Sequence, residues 1–314
     1  MTEPLLRRLE ARGERLTVGA LPWVAPVYRV MPQVAEVIEF PFAHGGLQFK
    51  VRRSIAKRIE GQFDMAYVLP NSLKSALLPF LASIPKRIGY LGEARIGLLT
   101  HRLKNPKSRP PMVAFYSALS GEAGIEADRP QLHVPDADIN ETLTELGLQR
   151  GAYTVFAPGS EYGPAKRWPA AHYAALANQL GGPVLLLGSG KEADLCAEIA
   201  KMSKNCLNFA GKTTLAQAIR VQAASKLIVT NDSGLMHIAA ALGVPQVAIF
   251  GSSSPLHTPP LSHKAVVLWL KNDSSYQPPL DCAPCFERVC PLGPKEGHMR
   301  CLNDITAAMV LQKL

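Results

Sequence analysis

The sequence predicts an α/β protein made of two doubly wound, Rossmann-like domains, each with a parallel sheet. First, short apolar strands alternate with helical segments along most of the 314 residues. Second, an apolar strand at 227–229, an Ala-rich helix ended by Gly243 and an apolar strand within 244–251 make a strand–helix–strand unit, whose strands must be parallel. Third, this length suits two cores better than one.

Composition limits the class of protein. Apolar residues make up 47% and charged residues 19%, which is typical of a folded protein and not of a disordered one. The 34 Lys and Arg exceed the 25 Asp and Glu, and the formal charge of +9 favours nucleic acid, an anionic membrane surface or a phosphorylated substrate as partner. No apolar run is long enough to span a bilayer and residues 1–8 do not resemble a signal peptide, so the predicted location is the cytoplasm.

The predicted first domain comprises residues 1–135. Its segment 92–111 is basic, and it is expected to be either a mobile connection or an anion-binding loop. The predicted elements are helices at 2–13, 24–30, 49–59, 72–82 and 112–121, and strands at 16–20, 37–40, 65–69 and 87–90.

The alternation begins with a helix that has no strand before it. The first strand of a doubly wound sheet is usually central, so the sequence predicts a gap in the middle of the first sheet. We therefore expect that about one strand and its turn are missing from the N-terminus, relative to an intact fold.

The predicted second domain comprises residues 136–314, and polar loops follow three of its strands. Residues 157–169 are rich in Gly and Pro and carry Lys166 and Arg167, residues 188–192 read Gly-Ser-Gly-Lys-Glu, and residues 232–234 read Asp-Ser-Gly. Glycines, cations and helix N-termini on one sheet edge favour a nucleotide-diphosphate site. The sequence contains no P-loop motif and no Gly-x-Gly-x-x-Gly motif after the first strand. It therefore supports neither a P-loop ATPase nor a standard NAD enzyme. Further strands are predicted at 154–157, 183–187 and 207–209, and helices at 170–180, 192–202 and 215–224.

Four stretches together resemble one family: Lys166–Pro169, Asn231–His237, Pro70–Leu77 and the late cysteine cluster. They are similar to the ADP-heptose:lipopolysaccharide heptosyltransferases of glycosyltransferase family 9. The resemblance implies a GT-B fold, in which two domains face a cleft, and an inverting transfer of L-glycero-D-manno-heptose from ADP-heptose to the heptosyl-Kdo-lipid A inner core. It implies no cofactor for catalysis, peripheral attachment to the anionic inner leaflet, and no nucleic-acid partner.

The resemblance also implies a donor site. Lys166 would balance the charge on the departing ADP, and Asp232 would bind a sugar hydroxyl; these two are the candidate catalytic residues. The alternatives are that Asp232 and Ser233 only cap a helix, that Glu192 is an exposed carboxylate, and that His237 is a structural histidine. The full donor set is Gly159, Ser160, Lys166, Glu192, Asp232, Ser233, Gly234 and Leu235.

The acceptor is expected in the first domain. Its candidate residues equally fit helix caps and surface cations, and the basic helix 50–58 fits either a solvated face or contact with an anionic membrane. The candidates are Asn71, Ser72, Lys74, Arg87 and Arg95.

Inverting transfer needs a base that activates the acceptor hydroxyl. In the family, this base resembles an Asp after the first strand, the segment expected to be missing here, and Glu3 is a possible substitute. The alternatives are therefore a catalytically impaired nucleotide-sugar-binding homologue, a related transferase with another sugar or core acceptor, and, third, a nucleic-acid binder.

Four of the six cysteines lie close together in the sequence near the C-terminus. Their spacing is not that of a standard zinc finger, so both a structural zinc and free or reversibly oxidised thiols remain open. These residues are Cys282, Cys285, Cys290 and Cys301.

Overall fold

The computed structural model describes residues 1–43, 45–121 and 128–314. The chain divides into two compact units: residues 1–28 with 33–128, and residues 29–32 with 129–314. The predicted boundary at 135 therefore falls a short way inside the second unit. No helix in the described ranges is long and apolar enough to cross a membrane.

The first unit contains five strands in two parallel sheets, β1–β2 and β3–β4–β5, in the part of the chain that the structure describes. The sequence predicts a gap in the middle of the first sheet, and the strands of this unit form two separate sheets. The elements are α1 Glu3–Ala11, β1 Leu16–Ala20, α2 Ala25–Arg29, β2 Val34–Glu39, α3 Phe49–Ile59, β3 Met65–Val68, α4 Leu73–Leu81, β4 Lys86–Tyr90, β5 His101–Leu103 and α5 Met112–Ser117.

Two local predictions in this unit are wrong. The basic segment 92–111 is not entirely loop, because β5 pairs with β4 within it. The Ser72 side chain does not cap α4. The Glu93 carboxylate instead accepts a hydrogen bond from the Leu73 amide at 2.8 Å. A side chain from the segment between β4 and β5 thus pairs with an amide in the first turn of α4.

The second unit contains one six-stranded parallel sheet in the order β11–β10–β9–β6–β7–β8. Strand β11 lies outside the predicted elements. The strand order reverses between β6 and β9, and open α/β sheets bind ligands beyond the carboxyl ends of strands at such a switch point. The elements are α6 Asp136–Leu146, β6 Thr154–Ala157, α7 Ala170–Ala177, β7 Val184–Leu186, α8 Ala193–Met202, β8 Cys206–Asn208, α9 Leu215–Ala223, β9 Leu227–Asn231, α10 Gly234–Ala241, β10 Gln246–Ile249, β11 Ala265–Leu268, α11 Arg300–Asn303 and α12 Ala307–Leu311.

The core of the second unit extends under the loop that follows β6. Trp168, at the end of that loop, is fully buried and donates its indole N–H to the Ile305 carbonyl at 2.7 Å. Its ring meets Tyr173 edge to face, with centroids 4.7 Å apart. The loop is therefore anchored by a large aromatic side chain directly beside the switch point.

Candidate donor site

Asn231, the last residue of β9, joins the two loops at the switch point. Its side chain is fully buried; Nδ2 donates to the Pro158 carbonyl at 2.6 Å, and Oδ1 accepts from the Trp168 amide and the Tyr173 hydroxyl, each at 3.1 Å. Because these partners include both ends of the loop 158–168, one amide fixes that loop against β9. Sequence reasoning gave Asn231 no role of its own.

Lys166 and Asp232 form a close ion pair between these two loops. The Lys166 ammonium lies 2.5 Å from Asp232 Oδ2, and the side chains are only 17% and 5% exposed. The Thr258 hydroxyl donates to the other carboxylate oxygen at 3.3 Å. Both Asp232 oxygens thus have partners from this chain, and the predicted contact between Asp232 and a sugar hydroxyl stays a prediction.

The first turn of α10 presents backbone amides at the same edge. The Ser233 hydroxyl caps the helix by accepting from the Met236 amide at 3.4 Å, so the cap is Ser233 and not Asp232. The amides of Gly234 and Leu235 belong to the first turn, where an α-helix leaves N–H groups without intrahelical acceptors. With the dipole of α10, they form a site suited to a phosphate.

Glu192 is buried, not exposed. Its carboxylate accepts from the amide and hydroxyl of Ser189, at 2.8 and 2.5 Å, in a capping box. A Cβ added to Gly159 would lie 2.4 Å from Glu192 Cγ, and one added to Gly188 would lie 2.9 Å from Glu192 Cβ. Both glycines therefore allow the loops after β6 and β7 to close around Glu192.

The remaining donor candidates lie in the same loops. Ser160 is buried beside Gly159, and its carbonyl accepts from Arg167 at 3.3 Å. The partly buried His237 lies on α10, where desolvation is the main cause that lowers its pKa to about 4. Its imidazole is therefore neutral at physiological pH.

In the first unit, Arg95 is completely buried, contrary to the expectation of an acceptor contact. Its guanidinium donates to the Pro70 carbonyl at 2.5 Å, to Asn71 Oδ1 at 3.0 Å and to the Tyr90 carbonyl. Because these groups occupy its donors, the geometry supports a positioning role for Arg95, in which it fixes the turn that carries Asn71 and Ser72.

Arg87 also donates to the chain itself. Its Nε bonds the Leu98 carbonyl at 2.7 Å and its Nη1 the Ile84 carbonyl at 2.5 Å, which again differs from the predicted acceptor contact. Lys74, Asn71 and Ser72 are partly exposed on the turn and the first residues of α4, and they remain candidates. Glu3, considered as a substitute base, is buried and accepts from Gln33 Nε2 at 2.9 Å.

The four late cysteines line one cavity of about 230 Å³ in the second unit, together with Ala165 of the loop 158–168 and Ser252. All four are free thiols. Within residues 1–43, 45–121 and 128–314, no three His, Cys, Asp or Glu side chains are arranged to hold a metal ion. Structural zinc and free or reversibly oxidised thiols, the two alternatives for these cysteines, both stay open.

Two α/β units with parallel sheets are the architecture of the GT-B class of glycosyltransferases, and solved structures of that class match this chain. Residues 52–296 match glycosyltransferase family 9 (heptosyltransferase), and the chain belongs to that family.

Relatives match almost the entire chain. It is 42% identical to Lipopolysaccharide heptosyltransferase 2 of Escherichia coli K12 and 41% identical to Lipooligosaccharide heptosyltransferase 2 of Haemophilus influenzae. These alignments cover all of this chain and 93% and 94% of the relatives. The solved structure of E. coli ADP-heptose lps heptosyltransferase II is 40% identical, with a TM-score of 0.82 over 99% of this chain and 92% of that one.

Proposed function

We propose that this chain transfers L-glycero-D-manno-heptose from ADP-heptose to a heptose of the lipopolysaccharide inner core, with inversion at the anomeric carbon. The observation that carries the proposal is the Lys166–Asp232 ion pair beside the first turn of α10. A cation next to the amides of a helix's first turn suits a diphosphate. Family membership and the names of the relatives support heptose as the sugar.

The chemistry assigned to Lys166 follows from where charge develops. When the bond between the anomeric carbon and the β-phosphate breaks, negative charge grows on the diphosphate. The Lys166 ammonium and the amides of Gly234 and Leu235 would stabilise that charge. Asp232 would hold the ammonium in place, and Glu192 would shape the loops on the other side of Gly159.

The acceptor side is proposed for the turn before α4. Asn71 and Ser72 present polar groups there, Lys74 adds a cation suited to a phosphorylated saccharide, and Arg95 fixes the turn from beneath. The acceptor hydroxyl must lose a proton to a base in an inverting transfer. Glu3 is not assigned this role because its side chain is buried against Gln33.

We also propose that α3 attaches the enzyme to the cytoplasmic face of an anionic membrane. Phe49 and Val51 are exposed at its start, next to the exposed cations Lys50, Arg53 and Lys57. Apolar side chains beside basic ones suit the surface of an acidic bilayer. Sedimentation with vesicles containing phosphatidylglycerol tests this: binding should fall in Arg53→Glu/Lys57→Glu, and equal binding to neutral vesicles would contradict it.

Titration with three ligands tests the donor assignment. ADP-heptose should bind more tightly than ADP-glucose, and duplex DNA should bind weakly at moderate salt. Comparable affinity for DNA would contradict a transferase. Incubation with ADP-heptose and heptosyl-Kdo-lipid A then separates an active enzyme, which releases ADP and a longer core, from a homologue that only binds the donor.

A further inference from the structure

The donor loop, residues 158–168, is bonded to Asn231 at its two ends and to a different segment at residues 162 and 165. Its middle lies against the segment Phe286–Arg288, which lies between Cys285 and Cys290. We propose that this segment, here called the clamp, positions Lys166 for the diphosphate, with Arg288 and Phe286 as positioning residues. The inference rests on the proposed donor site.

Backbone and side-chain bonds connect the clamp to the loop. The Ala165 amide donates to the Arg288 carbonyl at 3.1 Å, and Arg288 Nε donates to the Tyr162 carbonyl at 2.7 Å. The Tyr162 hydroxyl donates to the Phe286 carbonyl at 2.6 Å. Three bonds thus join the two segments just before Lys166.

The Tyr162 ring adds a link between the clamp and the candidate catalytic cation. The Arg288 guanidinium lies 5.2 Å from the ring centroid and the Lys166 ammonium lies 5.1 Å from it. A cation within about 6 Å of an aromatic ring is attracted to it. Tyr162 therefore contacts Arg288 and Lys166 at once.

Gly163 shows how closely the two backbones approach. A Cβ at this position would lie 2.4 Å from the Arg288 carbonyl oxygen and 3.0 Å from its carbon. Both obstacles are backbone atoms, so a side chain at 163 would have to displace the loop or the clamp. Glycine at 163 is thus required for the donor loop to pack against the clamp.

The clamp is itself held in an uncommon conformation. Phe286 has φ of 57°, a left-handed backbone that a bulky side chain rarely adopts. Its amide donates to the Ser252 carbonyl at 2.7 Å, in the loop after β10. Such conformations persist where the surroundings impose them, and they cluster where a ligand is positioned. The clamp therefore joins the loop after β10 to the donor loop.

Four variants of the full chain test the clamp. Arg288→Ala removes the Nε bond and the ring contact, and Gly163→Ala drives the loop from the clamp; Val289→Ala and Lys295→Ala are exposed controls in the same segment. The readouts are hydrogen–deuterium exchange of residues 160–167 without ligand, and the Kd of ADP. We expect faster exchange and a Kd raised about tenfold or more in the first two, corresponding to the loss of one charge-assisted bond.

The controls should keep both values within about twofold of the parent, as surface substitutions do. Unchanged exchange and Kd in both Arg288→Ala and Gly163→Ala would overturn the clamp. Lys166→Ala separates this from the donor assignment. If it raises the Kd of ADP while the clamp variants do not, only the clamp is wrong; if it leaves the Kd unchanged, the donor assignment is wrong, and exchange alone decides whether the clamp orders the loop.

Discussion

Replacing Lys166 by Met, alone and together with Asp232→Asn, separates the catalytic role of the ion pair from its structural role. The pair is short and little exposed, so Lys166→Met leaves a carboxylate that is largely shielded from water. Leaving one buried charge unpaired costs about 3 kcal/mol of unfolding free energy. Losing a cation that stabilises the departing diphosphate costs about 3–4 kcal/mol of activation free energy, or about a hundred- to a thousandfold in kcat.

The double variant removes both charges while preserving side-chain size. Its urea midpoint should recover most of the loss, because no buried charge is left unpaired. Its kcat should stay about a hundredfold or more below the parent, because no cation faces the diphosphate. ADP release measured with saturating acceptor gives kcat, and urea unfolding gives stability.

The Lys191–Glu161 pair provides the matched control. It has a similar distance, 2.8 Å, and lies in the neighbouring loops, but its side chains are 73% and 78% exposed. Lys191→Met should leave the urea midpoint and kcat near the parent values, since exposed ion pairs contribute little. A double Lys166→Met/Asp232→Asn variant with parental kcat would refute the assignment of Lys166 to the leaving group.

Four further predictions follow from particular contacts. Asn231→Ala breaks the bonds at both ends of the donor loop and should lower the unfolding free energy by about 3 kcal/mol in urea titration; an unchanged midpoint would contradict this. Arg95→Lys should raise the acceptor KM about tenfold through lost bonds to the Pro70–Asn71 turn, with the donor KM as the unchanged control. In metal-free protein, iodoacetamide should modify the exposed Cys282 before Cys301, because burial and then the neighbouring thiols raise the pKa of Cys301 to about 12; equal rates in mass spectrometry would oppose this. If zinc fills the cysteine cavity, metal analysis should find zinc in the parent and less in Cys285→Ser, while zinc-free parent protein would end that expectation.

The sequence predicted the strands and helices of the second unit better than the side-chain contacts between them. Strands β6 and β9 are apolar runs that end in Gly- or Asp-containing turns, so periodicity and turn residues locate them almost to the residue. Strand β5 was missed because His101–Leu103 is short and lies in a basic stretch, and its pairing with β4 is a tertiary property.

Burial explains where site prediction failed. Arg95 looked like a cation available to an anionic acceptor, but the folded chain surrounds it with carbonyl groups. The loop partners of Asn231 lie at 158 and 168, more than sixty positions away, and no local pattern indicates such distant bonds. The sequence also does not show why Gly159 and Gly188 are glycines. A side chain at either position would clash with Glu192, and that contact exists only in the folded chain.

The Lys166–Asp232 contact gives this site an exchangeable internal counter-ion. In the proposed reaction, an incoming diphosphate competes with the carboxylate for the ammonium, so part of the attraction that would tighten donor capture is already used within the protein. After sugar transfer the carboxylate can take the ammonium back as ADP departs. In the proposed reaction, the contact would therefore weaken retention of the spent nucleotide and favour rapid turnover over tight binding.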